Sequence, residues 1–194
     1  MTFNLCFAQQ WKAEDYQKCS IDNFRSNKLF LQKVDAIDYS VASGCLFYAV
    51  NELRVKNRML FVKYLNNLEA TAWHHAKSMA ELYFQDHINE NDDTRRTPDD
   101  RARLAGIRNA TIGECIYVCS SKGKTYLSMA DDIVKGWMES PWHKVVIMHY
   151  NNLQLGCGVY DSKNGYYNIK AVICFQQYDE AVIDTAGIID TIEY

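Results

Sequence analysis

The chain has 194 residues, 48% of them hydrophobic and 13% aromatic, which suits one domain with a substantial core. Its formal charge of −3, with Lys and Arg dispersed, gives no footprint for nucleic acid and no polybasic run for anionic lipid. No apolar run reaches the length needed to cross a bilayer, and the amino end (Met1 to Ala8) lacks the basic-then-apolar order of an intact secretory signal.

Residues 1 to 44 are mixed in charge and weakly periodic, and read as an extension packed on a main domain at 45–180, followed by a tail at 181–194. From Cys45 to about Lys56, Leu46, Ala49, Val50 and Leu53 repeat at helical spacing. A second helix is predicted where Leu65, Leu68, Ala72, His75, Met79 and Leu82 share one side. Its polar face carries Asn66, Asn67, Glu69, Lys77 and Glu81. Residues 86–101 are rich in acids and arginine and read as a loop; Thr97 and Pro98 can cap and open a short helix at its end. A strand is expected over Thr111 to Val118. A helix is expected from about Ser128, with Asp131 completing a capping box and Pro141 stopping it. Val145 to Met148, Leu155 to Tyr160 and Tyr166 to Phe175 read as strands, the last two joined by a tight hairpin at Asn164-Gly165. Helices first, then strands with one helix between them, argue for an α+β fold with helices layered on a mostly antiparallel sheet.

Seven cysteines leave at least one free or paired between chains. Cys157 and Cys174 flank the hairpin turn almost symmetrically, so a disulfide across neighbouring strands is the best single pairing, and Cys6 with Cys19 could close a small loop. Buried free thiols are the alternative.

Three places carry candidate chemistry: His87, the stretch Gly113-Glu114-Cys115-Ile116, and Trp137-Met138-Glu139-Ser140-Pro141-Trp142-His143. Two imidazoles and a carboxylate suit zinc or another divalent ion with a position left for water, or an acid/base pair oriented by a carboxylate. His75 reads as a core histidine, His74 as surface and His149 as packing. Ser140 reads as a helix stop rather than a nucleophile. Trp142, Tyr117 and Tyr83 could line a cleft.

These residues also carry a resemblance. With Asn51 and Arg54, then Leu68, Ala72, His75 and Met79, Phe84 and His87, Asp100-Arg101 before Gly106, and Gly156-Cys157-Gly158, the chain from Val50 to Cys174 resembles the CAP superfamily. That superfamily comprises the cysteine-rich secretory, antigen-five and pathogenesis-related-one proteins, and the bacterial-type branch looks closest. The resemblance implies a three-layer α-β-α sandwich with a large cleft. It implies metal-site roles for His87, Glu114 and His143, with zinc or another divalent cation as cofactor. Two departures stand out. Ser140 occupies the place of the family's second acid, with Glu139 about 100° away round a helix. Cys115 stands where the family prefers Asn, and it should face away from Glu114 on a strand.

The implied function is binding of a lipid, glycan or protein by an extracellular, periplasmic or envelope protein whose signal has been removed. The rival from another class is a metal-assisted hydrolase with Glu114 as general base. A third possibility is a scaffold with a vestigial cleft, contacting a partner through loops 86–101 and 119–126.

Overall fold

The computed structural model describes residues 11–192 and Tyr194. Its helices are α1 (Asp15–Lys18), α2 (Tyr39–Lys56), α3 (Asn66–Glu81), α4 (Pro98–Leu104), α5 (Tyr126–Glu139) and α6 (Pro141–Ile147). Its strands are β1 (Lys63–Tyr64), β2 (Ile112–Cys119), β3 (Asn152–Asp161) and β4 (Ile169–Gln177). The strands form one sheet in the order β1-β3-β4-β2. The β3–β4 and β4–β2 pairs are antiparallel, and the short β1 runs parallel to β3. One apolar core lies between the sheet and α2 and α5. A second lies between the sheet's other face and α3 and α4. This is the expected α-β-α sandwich.

Two glycines set how closely α3 approaches the sheet. A Cβ on Gly156 would come within 2.0 Å of the Glu69 backbone nitrogen, and one on Gly158 within 2.2 Å of the Trp73 nitrogen. Only a residue without a side chain lets helix backbone lie this near strand backbone. Asn51 and Arg54 on α2 are buried and serve architecture. Asn51 Oδ1 accepts from Val62 N at 2.8 Å, and Arg54 donates to the carbonyls of Leu60 and His149 at 3.1 and 3.2 Å.

Several expectations are corrected. The α2 helix begins at Tyr39, capped by Asp38, rather than at Cys45. The segment before it buries Trp11, Tyr16, Phe24 and Phe30 in the core. Glu69 is buried rather than part of the polar face of α3, while Leu82 is half exposed. Thr125, not Ser128, caps α5, and Ser128 closes the capping box from the third helical position.

The run Val145 to Ile147 lies in helix rather than strand, and Met148 is the C-cap. Ser140 is at once the C-cap of α5 and the N-cap of α6, and Pro141 opens the new helix instead of only ending the old one. The β3–β4 connection spans residues 162–168, a wider loop than a two-residue turn.

The Cys157–Cys174 disulfide is excluded by register: Cys174 pairs with Gly156, and Cys157 with Ile173. A one-residue offset puts the two thiols on opposite faces of the sheet, one in each core, and both are free and buried. The Cys6–Cys19 pairing lies outside the described residues, because Cys6 is not among them.

Candidate functional site

The candidate site forms at β2, which is an edge strand of the sheet. Alternation along β2 turns Glu114 toward α3 and Cys115 toward the α5 side, where Cys115 joins the larger core. Glu114 is buried, and both of its oxygens are engaged. His87 Nδ1 lies 2.8 Å from Oε1, and Arg101 Nη2 lies 2.7 Å from Oε2. The Cys174 thiol sits 3.8 Å from the same Oε2.

Arg101 comes from α4, a short helix fixed by its cap. Thr97 accepts from Asp100 N, and Asp100 accepts from Thr97 N. Besides its carboxylate partner, the guanidinium donates to the carbonyls of His87 (3.1 Å), Arg95 (3.0 Å) and Arg96 (3.1 Å). One buried cation therefore organises the loop that carries His87 and the acid that binds it. His75, on α3 and fully buried, donates from Nε2 to the Asp86 carbonyl at 2.9 Å and fixes the residue before His87.

The electrostatics follow from this packing. Burial alone would raise the Glu114 carboxyl, but the His87 hydrogen bond and the charges of Arg101 and His75 prevail and hold it below its ordinary value. His87 is shifted upward by its bond to Glu114, against a smaller opposing effect of burial. Burial pushes His75 down to about 4, so it is neutral at physiological pH.

His143 sits near the start of α6, partly buried, with Nδ1 withdrawn from water and unpartnered. Burial, and after it the charge of nearby His87, lowers its pKa. Its backbone carbonyl lies 3.8 Å from the Cys115 thiol, tying α6 to β2. Trp137 anchors the preceding helix by donating from Nε1 to the Ile116 carbonyl at 3.0 Å.

His87 and Glu114 are thus in direct contact, while no hydrogen bond joins His143 to either. Sequence reasoning did not assign Arg101 to the site; the signal was the Asp100-Arg101 pair ahead of Gly106. His149 stacks on Tyr150, and Ser140 acts as a cap. Tyr83 and Trp142 are 77% and 82% exposed.

Among the described residues, no group of three or more His, Cys, Asp or Glu side chains is arranged to hold a metal ion. Glu114 does not fit as a direct ligand, because Arg101 and His87 take both oxygens. His87 does fit, since a carboxylate on Nδ1 leaves the lone pair on Nε2, as in imidazoles that ligate a metal through one nitrogen and hydrogen-bond an acid through the other. The Nδ1 of His143 has no hydrogen-bond partner and is withdrawn from water.

The profile of the family described as "CAP: Cysteine-rich secretory protein family" matches residues 47–178. Among solved structures, the fold is similar to that of an outer surface protein from Borrelia burgdorferi (20% identity, TM-score 0.57, 74% of this chain and 97% of that one). It is also similar to an extracellular protein containing a SCP domain from Bacillus anthracis (18%, 0.55, 72% and 41%) and to a cysteine-rich secretory protein from Staphylococcus aureus (12%, 0.53, 75% and 42%). The chain therefore spans about two-fifths of the length of the Bacillus anthracis protein. No curated protein sequence matches the chain. Among the described residues no helix is long and apolar enough to cross a membrane.

Proposed function

The chain belongs to the cysteine-rich secretory protein (CAP) family, and from that premise we propose that it is an extracellular or envelope protein acting by ligand binding at the β2 edge. The location rests on the descriptions of its structural neighbours as extracellular, outer-surface and secretory proteins. The binding centre is the pair His87 and His143, which would hold zinc or another divalent cation, with Glu114 orienting His87 rather than ligating. A lipid headgroup, a glycan or a protein side chain offering oxygen would complete the coordination. When bound, such an ion supplies a fixed positive charge for that oxygen.

One observation carries this reading: the Arg101–Glu114–His87 relay, in which a buried cation fixes the carboxylate that fixes the imidazole. The hydrolase alternative is the poorer fit. A carboxylate held below its ordinary pKa, with both oxygens occupied, is a weak proton acceptor for water.

Calorimetric zinc titration of the wild type, His87→Ala and His143→Ala provides the test. At least a tenfold loss of affinity in each variant is expected, about 1.4 kcal/mol. Equal affinity in all three proteins removes the site.

A further inference from the structure

At the β1 edge of the sheet, the edge opposite Glu114, a second buried acid stands at the floor of a cavity of about 220 Å³. Glu69 projects from the first turn of α3 and is 2% exposed. The groups acting on its carboxyl are phenols. Tyr16 donates to Oε2 at 3.1 Å, Tyr194 donates to Oε1, and Tyr64, which itself donates to Asn66, lies beside them. Trp11 walls the same cavity and meets the edge of the Tyr16 ring, with centroids 5.6 Å apart. Tyr16 and Tyr64 stack at 3.7 Å.

A buried carboxyl is normally paired with a cation or coordinates one. Here the wall supplies neutral hydroxyls and π-faces, the surroundings that suit an organic cation. The volume accommodates a small amine headgroup and is below that of a typical drug-sized pocket, roughly 300–1,000 Å³.

We propose that this cavity binds a small organic ammonium ion, a primary or methylated amine, with Glu69 as counter-ion and Trp11, Tyr16, Tyr64 and Tyr194 as an aromatic cage. Burial pushes the Glu69 carboxyl up to about 7 against the opposing hydroxyl contacts. Below that pH, uptake exchanges one cation for another: the carboxylic acid loses its proton to solvent as the ammonium takes its place. Among the described residues, the other titratable groups facing Glu69 are Tyr16, Tyr64, Tyr194 and the Cys157 thiol. All are shifted upward and stay neutral through this range. Among the described residues, exposed Lys12 is the one cation lining the cavity, and it opposes the ligand.

The experiment is titration of the full chain with methylammonium and tetramethylammonium chloride, with sodium chloride at matched ionic strength as reference. It is read by calorimetry and by the Trp11 indole resonance. Saturable one-to-one binding is expected, weakened at least tenfold in Glu69→Gln and strengthened in Lys12→Ala. Affinity should rise with pH toward 7, by at most about tenfold per unit, with a proton released at pH 6 in buffers of differing ionisation heat. Shifts no larger than those from sodium chloride overturn the proposal, as does undiminished affinity in a folded Glu69→Gln. Should that variant fail to fold, the wild type decides: binding without proton release at pH 6 overturns it.

Discussion

Arg101 and Glu114 form an ion pair at 2.7 Å with side chains only 1% and 2% exposed, which makes each the condition for burying the other. Breaking such a pair strands a charge away from water, at a cost of about 3–5 kcal/mol. Arg101→Met is expected to lose that much stability in urea denaturation. The double variant Arg101→Met with Glu114→Leu should recover a large part of it, because no orphan charge remains. A double variant as unstable as the sum of the single ones would show that the pair is not the governing interaction.

His87 should titrate above 6.5, its ordinary value, because its bond to Glu114 favours the protonated ring. The stability it contributes is complete below 6.5 and lost as pH rises through the folded value. Glu114 has the opposite sense: its contribution is present above 4.5 and lost as pH falls through its lowered folded value. In Glu114→Gln the His87 ring should titrate lower than in the wild type. Two-dimensional NMR of the imidazole protons measures both values.

Between pH 4.5 and 6.5, two other buried groups oppose each other. His75, at about 4 when folded and 6.5 otherwise, makes the fold more stable as pH rises, and His143 adds to this sense. Glu69, at about 7 when folded and 4.5 otherwise, makes it less stable as pH rises. The His75 and Glu69 shifts each correspond to roughly 3 kcal/mol and run in opposite senses, so the two largely offset each other across this window. His75→Gln should leave stability falling with pH, and Glu69→Gln should leave it rising. Denaturation midpoints at pH 4.5, 5.5 and 6.5 test the two slopes.

Gly156→Ala should be far more damaging than Gly123→Ala. The first forces a methyl into the backbone of α3, whereas the second meets open space and bears only the strain of φ +73°. Losses of about 3 kcal/mol or more and about 1–2 kcal/mol are expected, respectively. Thermal unfolding of the two variants separates them, and similar melting temperatures would mean that α3 can move off β3 freely.

Peptide mapping after alkylation in denaturant without reductant should find Cys157 and Cys174 both modified. Their thiols face opposite cores, so oxidising conditions cannot join them within one folded chain.

The sequence was legible where periodicity had a single meaning. The α3, α4 and α5 helices and strands β2, β3 and β4 were readable because apolar spacing and turn residues agreed. It misled where two codes overlapped. Val145-Val146-Ile147 has strand-like residues, yet Pro141 and the Ser140 cap had already committed the backbone to helix, and only Ile147 of the three is buried. Glu69 looked like a surface acid because Tyr16 and Tyr194, which cover it, lie far away along the chain. Of the site, His87, Glu114 and His143 stood out as two imidazoles and a carboxylate, and the family resemblance gave them metal-site roles. The buried partner of Glu114 did not, since an arginine in an acidic, arginine-rich stretch looks solvated until tertiary packing encloses it.

Because Ser140 belongs to two helices at once, the path from Trp137 to His143 contains no slack. Adding or deleting one residue there would swing the imidazole by about 100° and shift it about 1.5 Å along the axis, while Trp137 stayed clamped to β2. The stretch acts as a ruler of fixed length. The 162–168 loop has no such duty, and length variation between copies of this architecture should gather there instead.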